Sequence, residues 1–276
     1  MCQPFISFIK EYMFKAEKLI QDSTGHNQLF KTDCVNIIQQ SAINFSDDDI
    51  VAELMPHENN NYNTNVVELA FAHFNVKDAP TIKPCLIIIG QFIALSDKDT
   101  HEKYISDNYN LLQILKETLE EGSLSHKKDA LWVLQSLACD PAIANLIILD
   151  ERNLIQQVLN CCSEKQYQIK QEAFLCLGTL VGETSLPKEQ IFDHFVKQNA
   201  ISVLHDELDQ QKQYDHGVVQ VLIIQTLSQF FTKIPGLAMM FLKNFGGKVF
   251  EDQQSSQHEN VYLAASELMQ EHYDCK

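Results

Sequence analysis

Residues 127–137 read KKDALWVLQSL, and residues 169–180 read IKQEAFLCLGTL. Laid so that Ala130 falls on Ala173, they put Leu134 on Leu177 and Leu137 on Leu180. Each stretch spaces its apolar residues three and four apart, which brings side chains to one face of a helix. A third copy lies upstream: IKPCLIIIGQF, residues 82–92, sets Cys85 in the same small-residue column and Ile89 and Phe92 in the apolar ones. Successive copies stand roughly forty residues apart, and self-similar helices at that period mark a solenoid, in which each unit buries its apolar face against its neighbours.

Between these copies lie shorter apolar segments, NLIQQVLNCC (153–162) and AISVLHDELD (200–209). Each follows another, NLIILDE (145–151) or IFDHFVKQ (191–198). The spacing predicts a short helix and then two longer ones per unit, the armadillo arrangement rather than the two-helix HEAT one. Glycine and proline fall between the periodic segments, as at Pro80, Gly122, Pro141, Pro187, Pro235 and Gly246–Gly247, and no alternating run carries hairpin chemistry. HENNNYNTN, residues 57–65, reads as a polar loop. The fold expected is all-α, an armadillo-repeat right-handed α-solenoid of about five to six repeats. Residues 1–80 would form degenerate N-terminal helical repeats, continuous with the regular repeats of 81–276. The third helix of each repeat would line an inner groove, and Trp132, the only tryptophan, sits on such a helix.

Composition narrows the partners. The chain has 276 residues, 45% hydrophobic and 21% charged, with a formal net charge of −16. That field repels nucleic acid and anionic membrane and draws in basic partners. Arg152 is the only arginine, so bidentate phosphate recognition is nearly absent. The eight cysteines form no CxxC pair, and several sit inside apolar helical patterns. They read as reduced, buried small hydrophobes of a cytoplasmic or nuclear protein. The N-terminus MCQPFISFIKEYMFK does not read as a signal peptide, and no apolar run is long enough to span a bilayer. HDEL at His205–Leu208 is internal and cannot act as a C-terminal retention address. HExxH, GxSxG, a phosphate-binding loop and a dinucleotide glycine pattern are all missing, so no enzyme activity, cofactor or metal is expected.

SHKKDALWVLQSL, QIKQEAFLCLGTL and QIFDHFVKQNAISVL, within residues 125–204, resemble the later repeats of importin-alpha, the armadillo adaptor that carries nuclear localisation signals. TIKPCLIIIGQFIALSDKD (81–99) is similar to the preceding repeat, Pro84 and Gly90 included, and GGKVFEDQQSSQHENVYLAASELMQEHY (246–273) to the last one. The resemblance covers about two-thirds of the chain in consecutive order. It implies a peptide groove in which tryptophans wall slots for lysine stems, asparagines bond the peptide backbone, and acids meet the ammonium groups.

Carried over, Trp132 matches a ladder tryptophan of the smaller signal-binding site, with Asp129 and Glu172 as flanking acids and Asp97 where another acid stands. Ser136, Thr179 and Gln91 replace ladder asparagines, Leu175 replaces the next tryptophan, and Ile87 stands in place of an arginine. Serine and threonine hydroxyls cannot bridge a peptide amide with donor and acceptor together. The larger signal site has no counterpart, and no arginine-rich segment is present to recruit importin-beta. The resemblance implies a non-enzymatic adaptor for basic extended segments in nuclear import, with transport factors as further partners. The departures favour an alternative: a scaffold subunit of a stable cytoskeletal or ciliary assembly.

Overall fold

The computed structural model describes residues 79–96, 98–106, 109–210 and 217–273, together with Ala70, Phe71 and Phe74. The N-terminal repeats expected before residue 81 fall almost wholly outside these residues, and so does Asp97. The described chain is helical throughout: α1 (Ala79–Leu95), α2 (Lys98–Ile105), α3 (Leu111–Glu121), α4 (Leu124–Ala138), α5 (Pro141–Leu149), α6 (Leu154–Cys162), α7 (Tyr167–Glu183), α8 (Lys188–Ile191), α9 (Ala200–Gln210), α10 (Gly217–Lys233), α11 (Leu237–Phe245), α12 (Lys248–Gln254) and α13 (Glu259–His272). α8 runs on into a π-type turn over Phe192–Val196. α2–α4, α5–α7, α8–α10 and α11–α13 are four three-helix repeats, preceded by the third helix of another, α1. None of the described helices is long and apolar enough to cross a membrane.

The expected grammar, a short helix and then two longer ones, holds in α2–α4 (8, 11 and 15 residues) and in α8–α10 (4, 11 and 17). In α5–α7 (9, 9 and 17) and α11–α13 (9, 7 and 14) only the third helix is long. The cause is packing. α4 lies against both α1 and α7, and α7 against both α4 and α10, so a third helix is buried by its own repeat and by two neighbours. In α7 the buried positions are Ile169, Lys170, Ala173, Phe174, Cys176, Leu177, Leu180 and Val181. The equivalent eight in α10 are buried too, from Val219 and Gln220 through Phe230 and Phe231. Ala130, Leu134 and Leu137, expected to take these seam positions in α4, have no exposed surface.

Local sequence sets the turns. Asp140 caps α5, its Oδ1 accepting from Ala142 N at 2.8 Å and Ile143 N at 3.2 Å, with Pro141 in the first turn where no N–H is needed. Between first and second helices the chain passes through a left-handed residue in every repeat: Asn110 (φ 50°), Asn153 (φ 62°), Asn199 (φ 66°) and Gly246 (φ 78°). Asparagine and glycine tolerate that conformation, in which a Cβ is ordinarily strained. Arg152 fastens two of these turns together, donating from Nη1 to Asn110 Oδ1 at 2.5 Å and from Nε to Asp150 Oδ2 at 3.1 Å.

A polar rung crosses three successive seams. Lys127 on α4 reaches Glu164 Oε1 at 3.4 Å. At the equivalent position of α7, Lys170 pairs with Glu207 of α9, both side chains buried. One repeat on, Gln220 Nε2 donates to Gln253 Oε1 of α12 at 2.9 Å. Four of the five described cysteines are buried, in line with the apolar helical patterns around them, and those five are free thiols. Burial pushes the Cys161 thiol up to about 11 and that of Cys162 well above its ordinary value, so both stay protonated and unreactive.

Candidate functional site

Opposite the seam face, each third helix presents a strip of half-buried side chains. On α4 the strip holds Asp129, Trp132 and Ser136. The corresponding residues are Glu172, Leu175 and Thr179 on α7, and Leu222, Gln225 and Gln229 on α10, of which Gln225 is exposed. On α1 it holds Ile87 and Gln91, both half-buried, with Pro84 buried behind them. Trp132 follows Ala130 by two residues and precedes Leu134 by two, so the helical period turns it about 160–200° from the seam. The side-by-side stack of third helices aligns these strips into one continuous face.

Trp132 is neither a free ledge nor a core residue. It is half-buried and packs against the edge of the core. A Cβ added to Gly90 of α1 would lie 2.2 Å from Trp132 Cζ3 and 2.8 Å from Cε3. The benzo edge of the indole therefore rests on the backbone of the preceding third helix, in a space that only glycine leaves open. The same device recurs further along: a Cβ on Gly182 of α7 would lie 2.8 Å from Gln229 Nε2 of α10. No second aromatic faces the indole from α7, where Leu175 stands.

The charge of Asp129 acts on Glu172 across the α4–α7 seam. Burial pushes the Asp129 carboxyl up, and the charges of Lys83, Lys128 and His126 draw it partly back. The Glu172 carboxyl is raised by burial and by the Asp129 charge, against the pull of Lys128. Asp129 Oδ2 is buried with no hydrogen-bond partner in the chain. His126, buried beside them, has its imidazole pushed down by desolvation and by Lys83, against the pull of Asp129. Two partly desolvated carboxylates at one place favour a cation between them.

The ladder hydroxyls are turned inward. Ser136 Oγ donates to Trp132 O at 3.0 Å, and Thr179 Oγ1 donates to Leu175 O at 2.9 Å. Each hydroxyl spends its one proton on its own helix and offers the groove only acceptor capacity. Sequence reasoning missed Gly90 as the floor under Trp132, the lysines Lys83 and Lys128 beside the acids, and Gln229 lying over Gly182. The repeat alignment carried a signal for the glycines, which stand on third helices where flanking positions are large. Nothing local pointed to the inward hydroxyls.

Ser228, His272 and Glu271 also gather between α10 and α13. Ser228 Oγ lies 3.1 Å from His272 Nε2 and donates to Glu271 Oε2 at 3.3 Å. Glu271 Oε2 stands 3.7 Å from that same ring nitrogen. A nucleophile triad needs its carboxylate on the opposite nitrogen, so this cluster is a helix-to-helix tie. Among the described residues no group of three or more His, Cys, Asp or Glu side chains is placed to hold a metal ion.

No protein-family model and no curated protein matches the sequence. Solved structures do. A designed armadillo repeat protein in complex with the peptide (KR)4 is 16% identical, with a TM-score of 0.70 over 92% of this chain and 97% of that one. An engineered protein matches at 13% identity and a TM-score of 0.69 over 94% and 99%. A computationally designed armadillo repeat protein for modular peptide recognition matches at 15% identity and 0.67 over 88% and 93%. The chain has the armadillo-repeat fold.

Proposed function

We propose that the protein is a non-enzymatic armadillo adaptor that binds a basic, extended protein segment along its third-helix face. The observation that carries the reading is the half-buried Trp132 on Gly90, with Asp129 and Glu172 interacting beside it. An indole face and two partly desolvated carboxylates suit a lysine stem and its ammonium group. The net charge of −16 favours the approach of a cationic partner. The importin-alpha-like sequence of residues 81–276 extends the reading to cargo binding in nuclear import, in the cytoplasm and nucleus. A two-cluster lysine-rich signal peptide titrated at low salt, where charge attraction is least screened, tests it. Weak saturable binding is expected, and no binding at all refutes the adaptor reading.

One observation favours a second reading. With Ser136 and Thr179 bonded to their own helices and Leu175 in the tryptophan column, the groove lacks a general clamp for peptide backbone. That suits one permanent partner, as in a cytoskeletal or ciliary scaffold subunit. Isolation from the native source separates the two: an adaptor exchanges partners and responds to salt, and a scaffold stays with one assembly.

A further inference from the structure

We infer that the segment seated in this groove carries a single lysine or arginine, held where Asp129 and Glu172 meet, and continues over α7 and α10 through uncharged residues. The inference rests on the groove reading above and adds which segments the groove selects. Followed from α4 through α7 to α10, the three columns of the face change class. The acid column runs Asp129, Glu172, Leu222; the stacking column runs Trp132, Leu175, Gln225; the ladder column runs Ser136, Thr179, Gln229. Within these columns charge is thus confined to Asp129 and Glu172, and the other positions offer an indole, apolar carbon, hydroxyls and amides; Glu183, exposed at the end of α7 one turn past Thr179, lies outside them.

The acid pair itself leaves room for only one visiting cation. Lys83 and Lys128 already act on Asp129, and Lys128 on Glu172. Lys83 Nζ lies 3.5 Å from Ser125 Oγ, so it is held at the rim of the site. A second cation would meet these lysines or the uncharged face of α10, where nothing offsets its lost hydration. Uncharged groups fare better there. Gln229 Oε1 and Asp129 Oδ2 are both buried acceptors without a partner in the chain, the first suited to a peptide or amide N–H and the second to an ammonium.

Third helices packed about 8–10 Å apart put α4 and α10 roughly 16–20 Å from each other, which an extended chain covers in about five or six residues. Within the three columns acids return only beyond that span, at Glu267 and Glu271 of α13, and Glu271 already accepts from Ser228 at 3.3 Å.

The test is calorimetric titration of the full chain, at low and moderate salt, with three peptides of about nine residues. One carries a single lysine among serine, asparagine and alanine, one carries lysine at every second position, and one carries none. At moderate salt, where the field of the net charge of −16 is largely screened, the single-lysine and multi-lysine peptides are expected to bind within about threefold of each other, and the lysine-free peptide about tenfold or more weaker. A multi-lysine peptide that still binds about tenfold tighter at moderate salt overturns the inference and leaves the groove reading standing. Equal binding of the lysine-free and single-lysine peptides overturns it as well. If none of the three binds, the groove reading fails and takes the inference with it.

Discussion

The seam and the groove face of the same helices obey different rules. On the seam, α7 and α10 bury equivalent positions one for one, although the residues change from Ala173 to Ile223 and from Leu180 to Phe230. On the groove face the matching positions go from Asp129 to Glu172 to Leu222, and from Trp132 to Leu175 to Gln225. Burial between neighbours dictates apolar bulk at every seam, because a solenoid has no other core. The groove face has no such duty, so its chemistry is free to differ from rung to rung. A reader of this fold should take stability from what recurs and function from what does not.

The largest effects are expected on the seam. Phe174, without exposed surface, should cost about 3–5 kcal/mol when replaced by alanine, read as a loss in denaturant midpoint. Lys170→Met should cost a similar 3–5 kcal/mol or so, because it leaves Glu207 charged and buried without its partner. The double change Lys170→Met with Glu207→Leu should recover most of that loss, and a double variant as unstable as the single would show that the pair is not the cause.

Effects in the groove should be smaller in stability and larger in binding. Gly90→Ala drives a methyl group into the indole and should cost about 1–3 kcal/mol while moving the emission of Trp132, the only tryptophan. An unchanged spectrum would mean that the indole does not rest on Gly90. Trp132→Ala should cost less than the roughly 3–5 kcal/mol of a fully buried tryptophan and should abolish peptide binding.

The smallest stability effect has an informative sign. The carboxyl groups of Asp129 and Glu172 are raised above their ordinary values, chiefly by burial, so the folded chain holds those protons more tightly than the unfolded chain does. Their contribution to stability is therefore greatest at acid pH and is lost as pH rises through their folded-state values. At neutral pH the ionised pair weighs against folding, and Asp129→Asn should raise the melting temperature slightly while weakening cationic peptide binding. Groups retained against stability are the ones expected at a site of function. A melting temperature that falls instead would make Asp129 a structural residue.

The sequence made the third helices legible because Ala130, Leu134 and Leu137 recur at a fixed offset in neighbouring units, and periodic burial leaves periodic apolar residues. The lengths of the second helices were legible only in part: α3 and α9 outrun the helices before them, whereas α6 and α12 do not, since an apolar run such as NLIQQVLNCC fixes a face without fixing where its helix stops. The left-handed turns at Asn110, Asn153 and Asn199 carry a signal only once the repeat register is known. Trp132, Asp129 and Glu172 were legible as a strip. The seat of Trp132 on Gly90 was not, because it joins residues of adjacent repeats, and neither was the inward bond of Ser136, which a rotamer decides.

Because Trp132 is the only tryptophan, its fluorescence reports on the groove and nothing else. Titration of the wild-type chain and of the Asp129→Asn, Glu172→Gln double variant with a single-lysine peptide at low salt is the most direct test of the groove as a cation-holding peptide site. The expected result is a saturable change in emission for the wild type that the double variant loses, with the two proteins melting within a few degrees of each other. A wild type whose emission does not respond, or a double variant that responds equally, would contradict the account.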